Sequence, residues 1–307
     1  MRVVTQQRLG GPEVLTVTEA ERPSPGPTEV LVRVRAAGIN PVDWKTRAYG
    51  VFMGEPPFVL GWDVSGVVEE LGAGTTLFAV GDEVLGFPWF PRHAGGYGEY
   101  VTAPARQFVR KPANLSHEEA AGLPLAGLTA WQGLVDIADV RPGQRVLIDA
   151  AAGGVGHLAV QVAKARGAYV LGTASAGKHE FLRELGVDEA IDYHDASATA
   201  SDVDVVFGLV GEDSDLRWLG SVKPGGLLIA VPGGVSEAVA AKAGKLDVRT
   251  SGMLAEPDQI GLLALTDLIE KGELRVHVDQ TFPLEDVAKA HEVGEGGRVT
   301  GKLVLTV

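Results

Sequence analysis

The run Ala151-Ala152-Gly153-Gly154-Val155-Gly156 constrains this chain more than any other six residues. It follows the apolar stretch Arg145-Val146-Leu147-Ile148-Asp149-Ala150 and leads into a helical pattern from Leu158 to Arg166. A glycine-rich turn between a strand and a helix lets an anion approach the backbone, and the helix start offers it free N–H groups. Gly153 would admit a pyrophosphate, and Gly156 would permit close packing of helix on strand. Ala151 stands where the dinucleotide fingerprint has its first glycine, so the pattern is broken at one position.

The sequence around this loop, residues 119–268, alternates short apolar strands with helical patterns. Ala168 to Gly172, Glu189 to Asp192, Val203 to Phe207 and Gly226 to Val231 read as strands, and Lys178 to Leu185 as a helix. That rhythm predicts an α/β fold, a doubly wound parallel sheet with helices on both faces. Residues 1–118 differ. Val30 to Ala36 alternates apolar and charged residues, and Val64 to Gly72, Asp82 to Phe87 and Tyr100 to Ala103 continue a strand series punctuated by Gly and Pro. This region reads as an all-β, barrel-like domain. Residues 269–307 return to strand character, and the final run Lys302-Leu303-Val304-Leu305-Thr306-Val307 is too apolar to hang free. It is expected to dock on the first domain, giving a discontinuous domain of 1–118 with 269–307 and a nucleotide-binding domain of 119–268.

The choice of dinucleotide follows from what succeeds the loop. An NAD site places an acidic residue about 20 residues beyond the glycines, on the ribose hydroxyls. No acidic residue occurs between His157 and His179. The second strand ends instead in Gly172-Thr173-Ala174-Ser175-Ala176-Gly177-Lys178, where small polar groups and a lysine suit a 2′-phosphate that an acid would repel. Lys178 also reads as a solvated lysine at a helix start. The backbone and small side chains of Ala152, Gly153, Gly154, Val155 and Gly156, with Ser175 and Lys178, form the expected cofactor site, and NADPH is favoured over NADH.

Composition narrows the partners. A net charge of −13 repels a nucleic-acid backbone or an anionic membrane. No apolar run is long enough to cross a bilayer, and the N-terminus lacks a signal-peptide pattern, so a cytoplasmic location is expected. The chain has no cysteine, which excludes disulfides, a thiol nucleophile and cysteine-ligated zinc. Its seven histidines are scattered with no metal-ligand spacing.

Taken together, Ala37-Gly38-Ile39-Asn40-Pro41-Val42-Asp43, Leu60-Gly61-Trp62-Asp63-Val64-Ser65-Gly66, Gly95-Gly96-Tyr97-Gly98-Glu99-Tyr100, Leu128-Thr129-Ala130, the glycine loop and Gly301-Lys302-Leu303-Val304-Leu305 give the chain a family likeness. Over essentially its whole length it resembles the zinc-free quinone oxidoreductase branch of the medium-chain dehydrogenase/reductase superfamily. The resemblance implies a GroES-like β-barrel domain beside a Rossmann domain, and homodimers, with the strand around Val248 to Leu254 as a plausible seam. Zinc-dependent members carry a cysteine where this chain has Asn40 and a His-Glu pair where it has Trp62-Asp63. Polarising an alcohol at neutral pH without a Lewis acid is difficult. Hydride delivery to an electron-poor quinone or enone needs less help, and that is the expected activity.

By the same resemblance, Thr129 lies near the nicotinamide, Tyr193 packs near the 2′-phosphate with Lys178, and Asn40 lies at the acceptor. Each also has a plainer reading: a helix-cap threonine, a strand-end tyrosine, and an Asx turn before Pro41. Members of this branch often have a tyrosine five residues after the asparagine; here that residue is Lys45, with Tyr49 four residues later. Either could stabilise a developing oxyanion or protonate it, or face solvent. Phe87, Trp89 and Phe90 either line a flat pocket or pack a core. An enoyl-thioester reductase, or an NADPH-binding redox sensor without turnover, remain the alternatives.

Overall fold

Strand Glu29–Ile39 organises the first part of the molecule. Exposed Arg33 and Arg35 alternate with buried Val32, Val34 and Ala36 at mid-strand, while Leu31, Ala37 and Ile39 on the arginines' face are buried too, so the strand is covered on both faces toward its ends. It pairs antiparallel with Asp63–Leu71, with Tyr100–Pro104 and with the last strand, Lys302–Thr306. The register of that last pairing runs from Leu303 opposite Ile39 to Thr306 opposite Ala36. Val278–Pro283 lies parallel to the last strand, and Glu83–Gly86 and Phe108–Arg110 complete a seven-stranded sheet. Arg2–Gln6, Thr16–Glu19 and Phe58–Val59 form a second, three-stranded sheet. Leu303 and Leu305 share a buried cluster with Val4, Ile39, Leu60 and Tyr97, so burial of apolar surface holds the last strand to the first.

The computed structural model describes all 307 residues and shows two compact units, Met1–Leu128 with Glu256–Val307, and Thr129–Ala255. In the second unit six parallel strands, β1 (Arg145–Ile148), β2 (Tyr169–Ala174), β3 (Glu189–Asp192), β4 (Val203–Gly208), β5 (Val222–Ala230) and β6 (Arg249–Gly252), take the order 3-2-1-4-5-6. This is the Rossmann order, with its crossover reversal between β1 and β4. Val146, Leu147 and Ile148 are all fully buried, as a central parallel strand covered on both faces requires. β6 is an edge strand. No helix is long and apolar enough to cross a membrane.

Two expectations need correction. Residues 1–118 are not all-β: Pro41–Tyr49 is a helix with Asn40 at its N-cap and Pro at its first position, and Gly50 closes it in a left-handed conformation. The Asn40 N–H donates to Asp43 Oδ2 at 2.7 Å, so the residues whose plainer reading was an Asx turn begin a helix. Residues 269–307 likewise contain a nine-residue helix, Val287–Glu295, between their two strands.

Arg47 joins these two overlooked helices. It is 2% exposed; its Nε donates to the Gly10 carbonyl at 3.0 Å and its Nη2 to Glu295 Oε1 at 2.8 Å. Nη1 donates to His291 Nδ1 at 3.2 Å. Burial, aided by the Arg47 charge, pushes His291 down to about 3, which keeps the imidazole neutral and able to accept. Arg47→Met would leave the Gly10 carbonyl and the buried His291 Nδ1 without their donor and is expected to cost roughly 2–3 kcal/mol in urea unfolding. A loss below about 0.5 kcal/mol, the scale of an ordinary surface substitution, would show that the network does not carry the contact.

Candidate active site

The carboxyl ends of β1, β2 and β3 bring the expected cofactor residues together. Ala174 pairs with Asp192 and Gly172 with Ile148, so the glycine loop, Ser175 and Tyr193 leave neighbouring strands side by side. An added Cβ on Gly156 would lie 2.2 Å from the Ala150 carbonyl oxygen, so only glycine lets the following helix start this close to the strand. At Gly153 the same atom would meet nothing nearer than that oxygen at 3.2 Å, leaving its outer side open. The N–H groups of Ala152, Gly154 and Val155 donate to no atom of the chain. Together they suit a pyrophosphate. The Ala151 methyl occupies room that Gly172 leaves across the strands, since a Cβ on Gly172 would sit 2.9 Å from it. The missing fingerprint glycine therefore has a partner elsewhere in the chain.

Lys178 ends a short 3₁₀ turn, Ala176–Lys178, and is half-buried; Ser175 precedes that turn. Tyr193 is exposed and stacks on His194 with ring centroids 4.1 Å apart, while its carbonyl accepts from Arg217 Nη1 at 2.7 Å. Sequence reasoning missed the support beneath the loop. Asp149 accepts from Thr173 Oγ1 and Ser214 Oγ, both at 2.5 Å, and from the Ala150 N–H at 3.0 Å. Neighbouring Asp215 is buried and pushed up to about 6, first by burial and then by the Asp149 and Glu212 charges. An acid closing an apolar strand immediately before a glycine loop was the available signal.

In the first unit Asn40 is the centre of a buried polar cluster. Its Nδ2 donates to Asp63 Oδ2 at 2.8 Å, and its Oδ1 accepts from the Lys302 ammonium. Lys302 Nζ also donates to the Ile39 carbonyl at 2.8 Å and lies 3.9 Å from Asp63 Oδ2. Asp63 Oδ1 accepts from the Leu125 N–H at 2.8 Å, in the first turn of helix Pro124–Trp131. Thr129, one turn further along that helix, is buried. Lys45 and Tyr49 are not part of this cluster: both are exposed, Tyr49 at 78% and at the last position of its helix. Phe87 and Phe90 stack at 4.8 Å, and Trp62 and the exposed Phe52 meet Phe90 edge-on. Trp89 turns away, its Nε1 donating to the Thr102 carbonyl at 2.8 Å.

Burial pushes Asp43 up to about 7 and Asp63 up to about 6; the Asn40 N–H holds back the first, and Lys302 with the Asn40 amide the second. Tyr97, buried beside Asp43, is raised by burial and by that carboxylate. Because folding lifts Asp43 from 3.8 to about 7, the native chain binds more protons than the unfolded one across that window. Its contribution is therefore fully present below about pH 4 and is lost as pH rises toward 7, at up to about 1.4 kcal/mol per pH unit. Asp43→Asn keeps an acceptor for the Asn40 N–H and removes the titration. Its Tm is expected to gain on the parent's from pH 4 to about 7 and to level off above that; a constant difference would refute the assignment.

Two family models match the chain: an alcohol dehydrogenase GroES-like domain over residues 26–113 and a zinc-binding dehydrogenase over 185–305. A 2-haloacrylate reductase from a Burkholderia species is 35% identical, over 97% of this chain and 96% of its own. A quinone oxidoreductase structure from Coxiella burnetii superposes with a TM-score of 0.94 at 37% identity, covering 100% of this chain and 99% of that one. The Escherichia coli quinone oxidoreductase, solved with NADPH, gives 0.88 at 28% identity with 100% of both chains covered. The residues here do not fit the zinc that one family model's description implies. No three His, Cys, Asp or Glu side chains are grouped to hold a metal, and the Asn40 oxygen already faces an ammonium that would repel a second cation. The glycine loop does fit a nicotinamide dinucleotide. By fold, sequence and site, the chain belongs to the medium-chain dehydrogenase/reductase superfamily and, within it, to the quinone oxidoreductase branch.

Proposed function

We propose that the chain is an NADPH-dependent oxidoreductase that delivers hydride to a quinone or to an alkene conjugated with a carbonyl group, without a metal. The observation that carries this reading is the donor set around Asn40. Where zinc-dependent members need a Lewis acid, this chain holds an amide and a buried ammonium. Such groups cannot lower the pKa of an alcohol as a metal does, but they can stabilise negative charge arriving on an acceptor oxygen. The names of the relatives agree, since a 2-haloacrylate is an alkene conjugated with a carboxylate.

Bound NADPH would supply the hydride. The free N–H groups of the glycine loop would hold its pyrophosphate, and Ser175, Lys178 and Tyr193 would receive the 2′-phosphate end. Asn40 would donate to the acceptor oxygen as that oxygen gains charge, and Thr129 would border the nicotinamide. The enolate or hydroquinone anion then takes its proton from water, so no side chain must serve as an acid. Lys45 and Tyr49 are exposed, so the donor role falls first to Asn40.

NADPH is expected to bind at least about ten times more tightly than NADH, a gap of ~1.4 kcal/mol, and Lys178→Ala should erase most of it. Fluorescence titration with both dinucleotides measures this; equal affinities in the unmutated protein would count against the NADPH assignment. NADPH oxidation with 1,4-benzoquinone, 1,2-naphthoquinone, an alkenal, crotonyl thioester and a simple alcohol tests the reaction class. Quinone or alkenal turnover is expected, and Asn40→Ala should lower it by about 100-fold while leaving NADPH affinity intact. Efficient oxidation of the alcohol would overturn the reading.

A further inference from the structure

We propose that Lys302, on the last strand, is a positioning residue of this site: its ammonium and the Asp63 carboxylate lock the Asn40 amide so that it offers the acceptor an N–H and never its carbonyl. The inference rests on the reading of Asn40 as the donor to the acceptor oxygen.

The lock follows from the chemistry of the partners. An ammonium only donates and an ionised carboxylate only accepts. Lys302 faces one end of the amide and Asp63 the other, so a flip would set N–H against ammonium and carbonyl against carboxylate. Both partners are themselves fixed. Lys302 is 2% exposed, and its remaining protons are directed to the Ile39 carbonyl and toward Asp63. Asp63 is fully buried, with its other oxygen held by the Leu125 N–H.

Two things follow. Lys302 is committed to the Ile39 carbonyl and the Asn40 oxygen, with Asp63 at ion-pair distance, so it acts through Asn40. The amide has two N–H groups, and Asp63 takes one, which leaves a single donor of fixed direction. The cation on the amide oxygen draws electrons from that N–H and strengthens it as a donor. A fixed donor without a matching acceptor favours substrates whose oxygen gains charge, such as a quinone or enone carbonyl, over alcohols that must give up a proton.

The chain has only two asparagines, Asn40 and Asn114, so asparagine-selective ¹⁵N labelling gives two side-chain NH₂ groups in the full-length protein. In the unmutated protein the Asn40 pair is expected to show one proton shifted downfield and slow to exchange, and one not. In Lys302→Met the downfield shift and the slow exchange should both be lost, with the Asn114 pair unmoved. Turnover of 1,2-naphthoquinone should fall at least about tenfold in kcat, with KM and NADPH affinity within about threefold, the pattern of an interaction made in the transition state. Should Lys302→Met fail to fold because Asp63 is left unpaired, Lys302→Met with Asp63→Asn removes both charges and is read the same way. An Asn40 pair with the ordinary shifts and fast exchange of a solvent-exposed amide in the unmutated protein would falsify the lock whatever the variants do. An unchanged kcat in a folded variant lacking Lys302 would end the functional part. A lock seen by NMR in a protein that reduces none of the acceptors would instead sink the proposed reaction and leave the positioning geometry standing.

Discussion

A buried lysine ammonium has to have its charge answered by the chain, and much of the first unit is arranged around that demand. Lys302 is almost fully buried; residues 39 and 40 accept its hydrogen bonds and Asp63 pairs with its charge. Desolvation works to lower its pKa, and the neighbouring carboxylates oppose that pull. The pairing of Leu303 with Ile39 sets the head of the last strand beside the end of Glu29–Ile39, which is where Asn40 begins. Shifting that pairing by one residue would turn every side chain to the opposite face and carry the ammonium away from its acceptors. The apolar residues Leu303 and Leu305 fix the strand to the core, and Lys302 fixes its register.

The second unit meets a different demand, the close approach of backbone to backbone. Gly156 has no room for a side chain against the Ala150 carbonyl, and Ala150 itself adopts a positive φ of 47° to make the turn. That conformation is uncommon in a residue with a Cβ. Asp149 supports the turn from below by accepting from Thr173 and Ser214, which belong to β2 and to the segment after β4. Three separate stretches of chain therefore hold the loop open on its outer side. A broken fingerprint at Ala151 is tolerated because Gly172, on β2, leaves space for the methyl.

The fold class was legible because it rests on periodicity. The alternation of strand and helix, the glycine loop between them, and an apolar last strand are local patterns, and they predicted a barrel-like β-domain and a doubly wound parallel sheet; the family likeness made the first GroES-like. Helix Pro41–Tyr49 was missed for a physical reason. Its mean hydropathy is low and its buried residues, Asp43, Thr46 and Arg47, are polar, so no apolar stripe announced it; only the cap residues did. The Asn40 cluster was half legible. Asn40 stood out by family likeness, whereas Asp63 and Lys302 each open a strand at a buried position, where a charge is costly unless paired. Such a charge signals a partner without saying which one, because the partner is brought by strand pairing across 239 residues of sequence between positions 63 and 302. Lys45 and Tyr49 show the converse: spacing along a helix cannot tell the side facing the cluster from the side facing solvent.

A metal and a locked amide solve the same electrostatic problem at different cost. A zinc ion brings a full double charge and must be held by deprotonated ligands, so its binding is coupled to pH and to metal supply. The cluster here is made of groups the chain always carries, and its charges are set when the last strand pairs. What it cannot supply is the strong polarisation needed to take a proton from an alcohol. It can present one oriented N–H to an oxygen already inclined to accept charge, with no reorganisation at the moment of transfer. Asn40 can give that contact only while both ends of its amide are occupied, since a freely turning amide would present its carbonyl as often as its N–H. The selectivity of the proposed reaction therefore depends on a residue that touches no substrate, at the very end of the chain.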